Sequence, residues 1–219
     1  MAKKPKAVIL LSGGLDSTTT LYYAKKQGYQ CFALIFEYGQ RHKRELRSAV
    51  AVAKRAKVHY EILKISLPWK GSSLLDSRCA LPVTRSFKDI SRGIPSTYVP
   101  ARNIIFLSFA LSYAEAIGAG KIFIGANAID FSGYPDCRPS FYQAFQKVIS
   151  TGTKTKKIKV ETPLIDLTKA QIIALGHKLK APLALTWSCY QGGKRPCGVC
   201  DSCKLRQKGF SLLGIRDII

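Results

Sequence analysis

Acidic residues are scarce: 13 Asp and Glu stand against 35 Lys and Arg in 219 residues, a formal net charge of +22. Such an imbalance bears on solubility and on the anions a protein attracts, and says little about its fold. Long apolar runs are missing as well. The basic start Lys3, Lys4 and Lys6 leads only into Ala7 to Leu11 before Ser12-Gly13-Gly14 ends the run. An export signal needs about 7–15 apolar residues, so this run reads as a strand. The other apolar stretch, Ile104 to Ala116, carries Glu115. It falls short of the ~20 residues of a membrane span. No membrane partner is expected, and the expected location is cytoplasmic, where the seven cysteines stay reduced or bind metal. Histidine is nearly absent, and His42, His59 and His177 form no constellation; they read as surface or packing residues. No Gly-x-x-x-x-Gly-Lys-Ser/Thr occurs, which excludes a Walker loop.

What is present is ordinary globular composition: 47% hydrophobic and 22% charged residues, with 17 Gly and 10 Pro. Those fractions exclude a disordered, collagenous or low-complexity chain. There is no internal repeat, and the expectation is a single domain over residues 1–219. The first third alternates strand and helix. Ala7 to Leu11, Cys31 to Phe36 and Tyr60 to Ile65 are strand-length apolar runs, separated by helical segments Ser17 to Gln27 and Lys43 to Ala56. That order implies an open, mostly parallel α/β sheet with helices on both faces. Periodicity is lost from Ser66 to Arg102, which suggests an ordered functional loop or lid. Helix is expected again over Asn103 to Gly118 and Ser140 to Ser150, and strand over Lys121 to Ala126 and Ile158 to Thr162. Thr168-Lys169-Ala170-Gln171 has the form of a capping box opening a helix that runs to about Lys180.

The sharpest local signal is Leu11-Ser12-Gly13-Gly14-Leu15-Asp16-Ser17-Thr18, between the first strand and the first helix. Glycines let the backbone approach a ligand, and a helix N-terminus offers unpaired N–H groups to an anion. Asp16 is a natural Mg²⁺ contact, since Mg²⁺ in nucleotide sites takes one or two carboxylates beside phosphate oxygens. A plain Gly turn with an N-cap is the alternative. The expected ATP-binding stretch is Leu11, Ser12, Gly13, Gly14, Leu15, Asp16, Ser17, Thr18, Thr19, Thr20 and Leu21. Near the end of the chain, Cys189, Cys197, Cys200 and Cys203 combine two C-x₂-C steps with one upstream cysteine. That pattern favours a closed, structural Cys₄ zinc site within about 186–210, one ion per chain, over an iron–sulfur cluster. Cys31, Cys79 and Cys137 read as core or loop thiols.

Ser12-Gly13-Gly14-Leu15-Asp16-Ser17 resembles the SGGxDS loop of the PP-loop ATP pyrophosphatases, which cleave ATP between its α- and β-phosphates and adenylate a carbonyl oxygen. Pro100 to Asn103, Phe131 to Arg138 and Thr186 to Cys189, with the cysteine spacing, are together similar to the 7-cyano-7-deazaguanine synthase family over nearly the whole chain. That resemblance implies a homodimeric, zinc-containing, C–N bond-forming ligase of queuosine biosynthesis. It would use ATP with Mg²⁺ to convert 7-carboxy-7-deazaguanine and ammonia to the nitrile. Free ammonia is the expected donor, because a chain of this length beginning Met1-Ala2 leaves no room for a glutaminase. Asp16, Ser17, Arg102 and Arg138 are the expected catalytic residues, the arginines suiting phosphate or carboxylate. Asp130 or Asp136 would accept from a guanine-like edge, and Phe131 or Tyr134 would stack on it; structural ion pairs and loop packing are the alternatives. Ala101 departs from the family's Pro-Gly-Arg-Asn pattern, and Gln171 from its usual glutamate. A tRNA-modifying PP-loop enzyme and a non-catalytic zinc-ribbon nucleic-acid binder are the competing functions. The scattered cations, without aromatics among Lys154 to Lys159, point away from a specific nucleic-acid partner.

Overall fold

In the computed structural model, which describes residues 3–90, 93–128 and 133–219, strands and helices alternate as the apolar periodicity requires. Strands β1 (Lys6–Leu10), β2 (Gln30–Glu37), β3 (His59–Lys64), β4 (Lys121–Ile124) and β5 (Lys159–Glu161) form a sheet in the order β3-β2-β1-β4-β5. All pairings in it are parallel. Helices are α1 (Leu15–Lys26), α2 (Arg44–Ala56), the single-turn α3 (Phe87–Ile90), α4 (Arg102–Ile117), α5 (Pro139–Gly152), α6 (Lys169–Lys178) and α7 (Asp201–Leu212).

Central strand β1 is buried on both faces, so its residues alternate between two cores. Val8 and Leu10 join Leu34, Phe36, Ile122 and Ile124 under α4 and α5, where Leu107, Ala110, Phe145 and Ile149 pack. Ala7 and Ile9 join Ala33, Ile35 and Phe123 under α1 and α2, against Leu21, Ala24, Ala49 and Val52. A third cluster, with Leu15, Leu164, Ile172, Ile173 and Phe210, joins α6 and α7 to the start of α1. Among the described residues no helix is long and apolar enough to cross a membrane.

Most element ends shift by one or two residues from the sequence reading, and three differences have a structural reason. Helix α1 begins at Leu15 and not Ser17, because Gly14 takes the N-cap position in extended conformation. The Thr168–Gln171 capping box forms, with Thr168 N–H donating to Gln171 Oε1 at 2.8 Å, but the helix ends at Lys178. The cysteine-rich tail turns into α7, which the cysteine spacing had hidden. The segment after β3 is largely irregular and tied down by Arg41, whose guanidinium donates to the carbonyls of Ser73, Ser77 and Cys79. Its far end is fastened to the cysteine segment: Thr84 N–H donates to the Val199 carbonyl at 3.0 Å, and Arg85 pairs with Asp201 at 3.0 Å.

Candidate active site and metal centre

Chain order reverses across the sheet between β1 and β4, and ligands of open α/β sheets bind at the carboxyl ends of strands at that point. A cleft of about 260 Å³ opens there, with Ser12, Gly14, Asp16 and Ser17 on one wall and Arg102, Tyr134 and Asn127 among the others.

The loop after β1 is shaped by its own serines. Ser12 N–H donates to Ser17 Oγ at 3.2 Å, Gly14 N–H to Ser12 Oγ at 3.3 Å, and Ser17 Oγ to the Gly14 carbonyl at 3.2 Å. Gly13 has φ +82, and a Cβ there would lie 2.4 Å from both the Ala49 nitrogen and the Glu45 carbonyl oxygen. Helix α2 thus runs directly behind the loop. On the other side a Cβ on Gly125, just past β4, would lie 2.8 Å from the Asp16 carbonyl carbon and the Ser17 nitrogen. These contacts leave the first-turn N–H groups of α1 facing the cleft, where the helix dipole favours an anion.

Asp16 lines the cleft in a specific partnership: Lys169 Nζ, from the first turn of α6, lies 2.7 and 2.8 Å from its two oxygens. A hard oxygen donor already facing a cation fits a Mg²⁺ ligand. Arg102 donates to Tyr38 Oη at 3.1 Å and lies 6.0 Å from the centre of the Phe106 ring, itself stacked 3.9 Å from Phe36. Its guanidinium is therefore held over the end of β2, facing the phosphate loop across the cleft.

Not every residue expected here reaches the cleft. Leu11, Ser12, Gly14, Leu15, Asp16, Ser17, Arg102 and Tyr134 line it. Thr18, Thr19, Thr20 and Leu21 are fully buried in α1 and belong to the scaffold, Thr19 donating to the Leu15 carbonyl. Asp136 turns inward and caps α4: its carboxylate accepts from Asn103 N–H at 3.1 Å, and its carbonyl from Asn103 Nδ2 at 3.0 Å. Burial pushes its carboxyl up, while the Asn103 N–H and Arg102 oppose the rise. It thereby ties the 3-10 turn that carries it to the start of α4, the helix that carries Arg102. Arg138 is exposed at the start of α5, away from the cleft lining. Asp130 and Phe131 lie outside the described residues. Tyr134 is held by a 2.7 Å hydrogen bond to Thr97 Oγ1.

Two lining residues escaped the sequence reading. Lys169 was visible only as the first residue of a capped helix. Glu45 follows Tyr38-Gly39-Gln40-Arg41-His42 at the carboxyl end of β2, a position that a doubly wound sheet marks for ligands. Burial pushes the Glu45 carboxyl up to about 7, and the Arg102 guanidinium pulls the other way. His42, expected as a packing residue, packs its ring onto Gly192 of the cysteine segment and also borders the cleft.

The Sγ atoms of Cys189, Cys197, Cys200 and Cys203 all lie within 4.8 Å of one another, Cys197 and Cys203 at 4.0 Å. Zn–S bonds of about 2.3 Å in a tetrahedron put sulfurs roughly 3.8 Å apart, so the cluster fits that ion. Backbone N–H groups of Gln191 and Cys197 point at Cys189 Sγ, at 3.4 and 3.3 Å, and that of Cys200 at Cys197 Sγ, at 3.4 Å. Hydrogen bonds from the neighbouring Cys200 and Cys203 thiols hold Cys189 well below the usual thiol range. By contrast, burial pushes the Cys31 and Cys137 thiols up to about 12. The cysteine segment also touches the phosphate loop, because Trp187 N–H donates to the Gly13 carbonyl at 2.9 Å. Buried Arg206 of α7 anchors the same stretch, donating to Thr186 Oγ1 at 2.7 Å and pairing with Asp217 at 2.6 Å.

Comparison with known proteins places these features in one family. The family model described as queuosine biosynthesis protein QueC matches residues 6–214. A 7-cyano-7-deazaguanine synthase from Cyanothece sp. is 56% identical over 223 residues, covering 97% of each chain. One from Thermoplasma volcanium is 50% identical over 215 residues, covering 97% of this chain and 89% of its own. Among solved structures, the NMN synthetase from Francisella tularensis superposes with a TM-score of 0.52 at 16% identity, covering 98% of this chain and 79% of its own. That last likeness is one of fold.

Proposed function

Because the chain belongs to the QueC family of queuosine biosynthesis proteins, we propose that it is an ATP-dependent ligase making 7-cyano-7-deazaguanine from 7-carboxy-7-deazaguanine and ammonia. The observation that carries this reading is the opposition, across one cleft, of an anion-binding helix start and a fixed guanidinium. A carboxylate is a poor electrophile, so one oxygen has to become a leaving group. Adenylation achieves that with loss of diphosphate, and ammonia displaces AMP to give the amide. A second adenylation, on the amide oxygen, followed by loss of AMP gives the nitrile, so two ATP are consumed per turnover.

The residues divide this work by position. Leu15 and the α1 start would take phosphate oxygens on backbone N–H groups, with Ser12 and Ser17 holding the loop in shape. Arg102 would orient the carboxylate, or the phosphate it attacks, with its planar fork. Asp16 would hold Mg²⁺, which supplies neutralisation of phosphate charge when bound. Lys169 lies beside it as a second cation for the diphosphate. Positioning and electrostatics are the main contributions such a site makes. The four cysteines would hold zinc as a structural brace under Trp187 and the loop. The single-domain organisation and a homodimeric state belong to this same reading.

Incubation with 7-carboxy-7-deazaguanine, ammonium, Mg²⁺ and ATP, followed by mass spectrometry, should yield nitrile and AMP; the absence of both would overturn the assignment. In a gel-shift titration near physiological salt, RNA binding should be weak and indiscriminate. Tight, selective capture of one tRNA would promote a tRNA-modifying role instead.

A further inference from the structure

An enzyme with a formal charge of +22 faces a difficulty if one substrate is itself a cation: ammonium, the main form of ammonia at neutral pH, is repelled. A local carboxylate is then needed within the cleft. Among the described residues, two acidic ones, Asp16 and Glu45, line it, and Asp16 is engaged by Lys169. Among the described residues, the Glu45 carboxylate accepts no hydrogen bond and enters no ion pair. An unpaired carboxylate facing a half-enclosed cleft is unfavourable for folding, and a binding role accounts for its presence.

We propose that Glu45 holds the ammonium ion and takes one of its protons, so that ammonia attacks the acyl carbon as AMP departs and the second proton leaves to solvent, with Tyr190 beside it. This rests on the ligase reading above. Three placements support it. Helix α2 carries Glu45 in its first turn and abuts the phosphate loop, the Glu45 carbonyl lying 2.4 Å from where a Gly13 Cβ would be. Glu45 and the loop line the same cleft, so an ion held by its side chain would share the space where an acyl adenylate would form. Arg102 stands nearby, its guanidinium donating to Tyr38 Oη and acting on the Glu45 carboxyl, so cation and carboxylate substrates would dock on adjacent charges. Tyr190, also cleft-lining, offers an aromatic ring, which attracts a compact ammonium, whereas the Tyr38 ring already faces Arg102 at 5.8 Å.

The test separates the ammonia-dependent step from the ammonia-independent one. Loss of a charged hydrogen-bond partner corresponds to about ten- to a hundredfold in binding. Glu45→Gln should raise the KM for ammonium by that factor with 7-carboxy-7-deazaguanine as substrate. Conversion of the preformed amide to nitrile, which needs ATP but no ammonia, should stay within about twofold of the parent under the same assumption. Hydroxylamine, uncharged at neutral pH, should be used by the variant nearly as well as by the parent, and Glu45→Asp should restore part of the ammonium affinity. An unchanged ammonium KM in Glu45→Gln would overturn the proposal. So would equal slowing of the acid and amide reactions, which would mark Glu45 as a support for the whole cleft. Failure of the parent enzyme on both acid and amide would instead overturn the ligase reading itself.

Discussion

Gly13→Ala and Gly28→Ala form a matched pair that measures how closely α2 backs the phosphate loop. Both glycines hold left-handed backbone, at φ +82 and +88, so alanine carries the same conformational penalty at each, about 1–2 kcal/mol. The restriction that alanine places on the unfolded chain is also common to both. Their surroundings differ. Nothing lies within 4 Å of a Cβ on Gly28, whereas one on Gly13 would meet two backbone atoms of α2 at 2.4 Å. Backbone cannot rotate away as a side chain can, so loop and helix must separate, at a further cost of about 1–3 kcal/mol. Gly28→Ala should therefore destabilise by roughly 1–2 kcal/mol and Gly13→Ala by roughly 2–5. For a chain of this length each kcal/mol lowers the melting midpoint by about 2–4 °C, so a further ~1–3 kcal/mol should separate the pair by roughly 2–12 °C. Urea titration and calorimetry would read the difference directly. AMP formation should fall sharply in Gly13→Ala alone, since the same displacement opens the loop. Equal destabilisation of the two variants would refute the close approach of α2.

Ala101→Gly should stabilise the protein by about 1 kcal/mol in urea titration, because Ala101 occupies left-handed backbone at φ 54 immediately before α4. Asp16→Ala should abolish AMP production while leaving the circular dichroism spectrum unchanged, the carboxylate being directed at the cleft and Lys169; near-normal turnover would remove Asp16 from the chemistry. The purified protein should carry about one zinc and no iron, and Cys200→Ser should lose the metal and melt lower; a brown protein with visible charge-transfer absorption would indicate a cluster. Glu45→Gln should be more stable than the parent at pH 8 and nearly equal below pH 4.5. Folding raises the Glu45 carboxyl from 4.5 to about 7, so its ionisation opposes folding increasingly as pH climbs through that window. The gain at pH 8 should reach at most about 3 kcal/mol. Melts at both pH values would settle the sign, and a pH-independent difference would contradict it.

The residues legible in sequence are those whose meaning is local. A strand, two glycines and a helix start in close succession place a glycine-rich loop at the carboxyl end of β1 whatever surrounds it, and four cysteines in fifteen positions can hardly avoid one another. Ala101 is a further case: glycine is the residue that left-handed backbone before α4 favours, and alanine adopts it at some strain. Long-range partnerships were not legible. Lys169 meets Asp16 across 153 positions, and Asp136 caps α4 through Asn103 across 33. Nor does sequence reveal which way a helix turns its polar side chains. Thr18 to Thr20 follow the loop directly, yet all three are buried because α1 is covered by the sheet on one side and by α6 on another, Thr19 lying against Gly176.

Those distant contacts also explain why a four-cysteine cluster able to hold a metal ion accompanies this ligase. The loop that must face ATP rests on three supports with separate origins: α2 behind Gly13, β4 beside Asp16, and the Trp187 N–H on the Gly13 carbonyl. The first two belong to the sheet and its crossovers. The third comes from a segment of short turns with little apolar core of its own, Trp187 packing there mainly against Cys189, Cys200 and Cys203. A cluster that small is weak by burial alone, and four metal–thiolate bonds would supply the rigidity it lacks. Arg206 then transmits that rigidity through Thr186 to the residue next to Trp187. Metal loss should accordingly loosen the nucleotide loop before it unfolds the sheet, so that ATP binding declines ahead of the far-ultraviolet circular dichroism when zinc is chelated.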